Sequence, residues 1–239
     1  MALPKPATPT YELTLPSTGK IIKFRPFLVK EEKLLLLADQ SEDFKQKRQA
    51  IKDVIKACIL SRIKVEELPY FDLEYIFLQL RARSAEEFLD LEITCRDDGE
   101  TKVSHRINLL EVEVQGTEEE NPNKIMLSES MGVVLNYPSL DDFINFAMLG
   151  ETLDETNVYD YVASRIDQIF DDEEVVDGNE ATKKDLLEWV DNLTSKQLAK
   201  ISSFFENLPK LRYEFTVTNP STGVELKYAL EGLKDFFVL

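Results

Sequence analysis

The chain has 239 residues, 43% hydrophobic and 31% charged, with a net charge of −17 from 28 basic and 45 acidic residues. That length can bury one large core or two small ones. The acidity argues against binding nucleic-acid phosphates or an anionic membrane surface, and no apolar run approaches the ~20 residues of a membrane-spanning helix.

Residues 1–10 hold three prolines and read as an extended arm. They lack the apolar core of a signal peptide. Two cysteines, Cys58 and Cys95, make no disulfide framework, so a cytosolic site of synthesis and a reducing compartment are expected. A hairpin follows from Tyr11, with Pro16-Ser-Thr-Gly19 as its turn and Pro26 ending its second strand. Residues 29–39 read as a helix that is charged first and apolar afterwards. Phe44, Ile51, Val54, Ile55, Cys58 and Ile59 recur at spacings of three and four, which predicts an amphipathic helix over 44–61. Cys58 in that stripe reads as a small buried hydrophobe. Residues 71–83 predict the most apolar helix, with Asp72 as its N-cap and burial on two sides. A second hairpin over 88–109 and a strand over 109–114 come next.

Residues 115–123 are polar, contain Gly and Pro, and read as a linker. The type of 124–135 stays open. Ser139 to Leu149 predicts a capped helix ended by Gly150, and Val158, Tyr161, Val162, Ile166, Ile169 and Phe170 predict a helix over 155–170. Residues 171–181 read as an acidic loop. Thr182 with Asp185 has the spacing of a capping box and opens a helix; Thr194 or Ser195 opens another, which stops before Pro209. A last hairpin begins at Tyr213, and Leu233 to Leu239 place large apolar residues at the end of the chain.

One pattern is written three times: Tyr11-Glu-Leu-Thr, Leu91-Glu-Ile-Thr and Tyr213-Glu-Phe-Thr, each followed by a tip containing Gly19, Gly99 or Gly223. Period-2 alternation gives each strand one apolar face, and glycine supplies the positive φ of a tight reversal. The first and third tips share Pro-Ser-Thr-Gly and lie near the two chain ends, which would allow them to pair in one sheet.

Chemistry is sparse. A single histidine, His105, reads as a surface or edge residue with no nucleophile elbow near it. There is no phosphate-binding loop and no dinucleotide fingerprint. Asp141-Asp142 reads as a helix cap and Asp171-Asp172 as a solvated turn. Cys95 with Asp97 and Asp98 resembles half of a zinc knuckle but lacks the other ligands of a tetrahedral site. No catalytic residue, cofactor or metal site is assigned.

Three runs carry a family resemblance: Leu13 to Gly19 with Phe24-Arg-Pro-Phe-Leu-Val-Lys-Glu-Glu-Lys33; Phe71-Asp-Leu-Glu-Tyr75 with Leu78 to Arg83; and Leu193 to Lys210 with Leu230 to Phe237. Nothing in helix or strand propensity demands the first two. Together they resemble the baseplate hub and hub-assembly proteins of T-even-type contractile-tailed phages, over nearly the whole chain. The resemblance implies a non-enzymatic structural or assembly role in the baseplate hub, as a virion component or a tape-measure chaperone. It implies the tape-measure protein and other hub or tail proteins as partners, and a place in the virion tail and, during assembly, the host cytoplasm. Relatives with Cys-x-x-Cys at the second and third tips resemble small zinc ribbons; this chain keeps Cys95, Gly99 and Gly223 only.

The expected architecture is α+β, a mostly helical body with two or three β-hairpins near residues 11–27, 88–114 and 213–230. Two domains are expected, 1–115 and 124–239, joined by 115–123 or merged into one. Partner contact is expected at the hairpin edges, through Tyr11, Leu13, Leu15, Tyr213, Phe215 and Val217, with Phe236 and Phe237 beside them. A homo-oligomer is compatible with such edges; nucleic-acid binding and membrane insertion are not expected. Charge alone suggests an alternative, an acidic mimic of nucleic acid that inhibits a host protein, although the lysines at 45, 47, 52 and 56 interrupt any continuous acidic face.

Overall fold

A computed structural model describes residues 7–41, 43–116, 121–142 and 155–236. In chain order its elements are β1 (Tyr11–Thr14), β2 (Ile21–Phe24), α1 (Val29–Asp39), α2 (Phe44–Cys58), α3 (Tyr70–Ser84), β3 (Phe88–Thr94), β4 (Lys102–Asn108) and β5 (Glu113–Gln115). Then come β6 (Lys124–Met126), β7 (Gly132–Leu135), α4 (Glu155–Ser164), β8 (Ile166–Phe170), β9 (Val175–Asp177), α5 (Lys183–Asp191), α6 (Ser195–Glu206), β10 (Lys210–Thr218), β11 (Glu225–Glu231) and the single turn α7 (Leu233–Phe236). The chain divides into two compact units, Met1–Gln115 with Lys210–Leu239, and Gly116–Pro209. The last hairpin thus belongs with the first 115 residues, because β10 pairs with both β11 and β5 in one sheet.

In the first unit α3 is the spine. Phe71, Leu73, Ile76, Leu78 and Leu80 are all buried, so the helix is covered on more than one side. Hairpins β1–β2, β3–β4 and β10–β11 stand where the repeated pattern falls, but in three separate sheets. The first and third do not pair: β2 instead extends towards the end of α2 through the Phe24–Ile59 bridge and the Leu60 amide on the Lys23 carbonyl (2.8 Å).

The second unit overturns the expectation of a mostly helical body. Among the described residues helix makes up about 38% and strand about 28%, in four sheets of two to four strands. The largest, in the order β6-β7-β8-β9, lies in residues read as undecided, helix and loop. The reason is local. α4 ends at Ser164, and Ile166 to Phe170 continue as a strand paired with β7 and β9. Apolar residues at 166, 169 and 170 suit a buried strand and a helix alike, and only cross-strand partners decide. The turn into β9 is made by Asp171, whose Oδ1 accepts from the amides of Glu173 and Glu174 (both 2.9 Å). Gly132 in β7 leaves room for the Phe170 ring, which would lie 2.3 Å from a Cβ there. Val133, Leu135, Val162, Ile166, Val190 and Ile201 form the core between this sheet and α4, α5 and α6. α5 and α6 start with capping boxes, Thr182 with Asp185 and Thr194 with Gln197. Of the predicted 139–149 helix, Ser139 and the turn to Asp142 are seen; the rest lies outside the described residues.

Candidate functional site

The three hairpin tips share one geometry. In each, a buried residue (Leu15, Cys95 or Asn219) accepts at its carbonyl from the amide of the glycine four positions on, at 2.9, 2.9 and 2.8 Å. Those glycines, Gly19, Gly99 and Gly223, have φ of +66°, +71° and +74°, which an L side chain resists.

Each tip is then clamped by polar groups from elsewhere in the same unit. At the first, Asp72 of α3 accepts from both the amide (3.0 Å) and the hydroxyl of Ser17. Asp72 therefore does not cap α3, as its position had suggested; Pro69 stands at the cap and Asp72 is fully buried within the first turn. Burial pushes its carboxyl up to about 6. Two residues on, Glu74 accepts from the Leu233 amide (3.2 Å), while its other oxygen is out of water with no partner. Desolvation pushes that carboxyl up to about 7.

The second and third tips are clasped to each other. Asn219, with no exposed surface, donates through Nδ2 to both oxygens of Asp97 (2.9 and 3.1 Å) and to Asp98 (2.9 Å). The Thr222 hydroxyl also donates to Asp97, and the Thr101 hydroxyl donates to Asp98 (2.6 Å) and accepts from the Ser221 hydroxyl (3.0 Å). These hydrogen bonds, led by Thr222 for Asp97 and Thr101 for Asp98, hold both carboxyls below the usual range. Along the strands His105 stacks on Phe215 at 4.2 Å and the Arg96 guanidinium lies 4.5 Å over Tyr228. His105, read as a surface or edge residue, stands in a strand of a two-stranded sheet and is half-buried by this aromatic contact.

A third clamp uses Arg25. Its guanidinium reaches Glu31 (2.9 Å) and the Ala57 carbonyl (2.9 Å), and Glu31 accepts from the Leu28 amide (2.8 Å) at the start of α1. The ion pair is nearly out of water. Neighbouring Cys58 is fully buried and its thiol is pushed up to about 11, which leaves it an inert core residue. Among the described residues no group of three or more His, Cys, Asp and Glu is placed to hold a metal ion.

The side chains expected to contact partners are mostly interior. Leu13, Leu15, Phe215, Val217 and Phe236 are buried, Tyr11 and Tyr213 half-buried, and Phe237 lies outside the described residues. Tyr11 packs on Phe24 (5.7 Å) beneath the Arg83 guanidinium (4.9 Å). Tyr11 and Leu13 fall in one sheet, Tyr213, Phe215 and Val217 in another, and Phe236 in the helical turn α7.

What the sequence reading missed is the outward apolar face of α1, a helix that it had placed at residues 29–39. Its inner side rests on Glu31, Leu35 and Ala38, while Leu36 and Leu37 are 58% and 67% exposed and Val29 and Leu34 also face out. The signal was present: four consecutive leucines at 100° per residue sweep 300° of a helix, so one core face cannot hold them all. A recess of about 330 Å³ lies beside them, lined by Phe27, Leu35, Leu36, Ile51 and Phe77. An exposed apolar cluster of this kind marks a contact surface.

The family described as T4 bacteriophage base plate protein matches residues 8–238. No curated protein and no solved structure matches the chain.

Proposed function

The chain belongs to the T4 bacteriophage base plate protein family, and from that premise we propose that it serves the baseplate hub as a non-enzymatic structural or assembly subunit. Membership makes it a structural protein of the virion tail whose partners are other tail or baseplate proteins. The finer reading adds the tape-measure protein or a neighbouring hub subunit as the direct partner, met in the host cytoplasm during assembly.

The observation that carries the reading is the outward leucine face of α1. Scaffolded hairpins clamped at their tips give a rigid frame, and α1 presents apolar surface from it. The outer backbone edge of β1, paired among the described residues only on its β2 side, is the second contact proposed, by strand addition near Tyr11 to Leu15. With Leu13 and Leu15 buried, that contact would use main-chain groups and the half-buried Tyr11.

Co-purification with the tape-measure and hub proteins, wild type against Leu36→Lys with Leu37→Lys, tests both parts. The wild type should retain a hub or tape-measure protein, and the double variant should lose it with an unchanged thermal melt. Wild-type chain that binds neither protein overturns the hub reading. Mass spectrometry of purified virions against infected-cell lysate separates a resident subunit from an assembly factor that departs.

A further inference from the structure

The edge of the second unit carries a different feature. β9 is the last strand of its sheet among the described residues, paired to β8 alone. The Asp171 amide bonds the Glu174 carbonyl (3.0 Å) and the Gly178 amide bonds the Asp167 carbonyl (2.7 Å). Alternation between these bonds turns the amides of Val175 and Asp177 away from β8, towards open space. Edge strands are normally guarded by proline or charge, yet Val175 is 64% and Val176 39% exposed.

Beside this edge lies a recess of about 310 Å³. Ile169, Phe170 and Val176 line it from the sheet, and Leu186 and Trp189 from α5. Its size admits a single aromatic or branched side chain. Its rim is acidic: Asp171, Glu174 and Asp185 border it, and Asp172 and Glu173 lie exposed in the adjoining turn. Hydrogen bonds from backbone amides at Asp171, and from Thr182 at Asp185, keep those two carboxyls below the usual range and hence charged at neutral pH.

We propose that this edge and recess dock an extended, lysine- or arginine-rich segment of a partner protein, which adds as a strand to β9 and seats an apolar side chain against Trp189. Main-chain bonds to Val175 and Asp177 would give register, the recess would choose the anchor, and the acidic rim would choose the charge. A second copy of β9 fits worse. It would bring its own Asp177 and turn carboxylates to the same edge, where like charges oppose pairing. The inference stands independently of the hub reading, since it concerns the second unit and a different class of contact.

The test uses the full chain and a fluorescein-labelled octapeptide alternating lysine with valine and phenylalanine, with its glutamate counterpart as control. Trp189 is the only tryptophan, so its emission reports on the recess directly. We expect saturable anisotropy, a change in Trp189 emission, and affinity at least tenfold weaker in 0.5 M salt. Val175→Pro removes an outward amide while sparing the β8 ladder, and Glu174→Lys reverses a rim charge while keeping its backbone bonds. Each should lower affinity at least tenfold with an unchanged thermal melt; if Val175→Pro fails to fold, Glu174→Lys decides. Equal binding of the glutamate peptide overturns the proposal. So does binding unaffected by both variants, binding with no change at Trp189, or a free chain that sediments as a dimer dissociated by Glu174→Lys.

Discussion

Asn219 occupies in the third tip the position that Leu15 and Cys95 occupy in the first two, and it alone of the three satisfies carboxylates. Replacing it with alanine leaves Asp97 and Asp98 without their shared donor, so Asn219→Ala should cost about 1–3 kcal/mol, read as a lower denaturant midpoint with unchanged slope. Asn219→Asp should cost more, because it sets a third carboxylate against two. Glu74 and Asp72 act in the opposite direction with pH. Their folded-state values are raised, to about 7 and about 6, so the folded chain holds protons that the unfolded chain releases. Stability therefore rises as pH falls from above 7 towards the unfolded carboxyl value near ~4.3. The tip aspartates have lowered values; their contribution is present above ~4 and is lost as pH falls further. A melting-temperature profile should peak near pH ~5, and Glu74→Gln should flatten its neutral side while leaving the acid limb in place. A profile of Glu74→Gln that parallels wild type from pH 8 to 5 would contradict this account. The clamps also explain the runs that propensity left unaccounted for. Arg25 with Glu31, and Asp72 with Glu74, are spaced to reach different elements, which no local periodicity requires.

At the scale of elements, local pattern and long-range pairing contributed unequally. Alternation with a glycine tip placed all three hairpins, since both cues lie within fifteen residues. Capping residues placed the starts of α5 and α6 for the same reason. The four-stranded sheet was not legible. Its strands are three to five residues long, and their apolar spacing fits helix and strand alike until β7 is known to lie beside β8. Gly132 shows how tightly that pairing is held. A Cβ there would lie 2.3 Å from the Phe170 ring and 2.8 Å from the Ile125 carbonyl. Gly132→Ala should therefore destabilise the second unit by about 1–3 kcal/mol, seen as an earlier change in Trp189 emission on urea titration. A variant with wild-type midpoint would show that β7 and β8 can part without penalty.

At the scale of the whole molecule, the second unit is an insertion in the first. β5 ends at Gln115 and β10 begins at Lys210, and these two residues face each other across an antiparallel ladder. A short glycine-rich loop in place of residues 116–209 should close that gap at little entropic cost, and the first unit should fold cooperatively with the tip clasp intact. Loss of a cooperative transition in that deletion would mean the first unit depends on the second. By itself the sequence determined the hairpins, most helix starts, the lack of a local catalytic motif and the resemblance to baseplate proteins, all of which are written in neighbouring residues. Only the tertiary structure decided which tip meets which, that five of the expected contact side chains (Leu13, Leu15, Phe215, Val217 and Phe236) are buried, and that leucines of α1 and valines of β9 face outward. Burial is a property of what lies across from a residue, and residues 97 and 219, or 17 and 72, become neighbours only when the chain has folded.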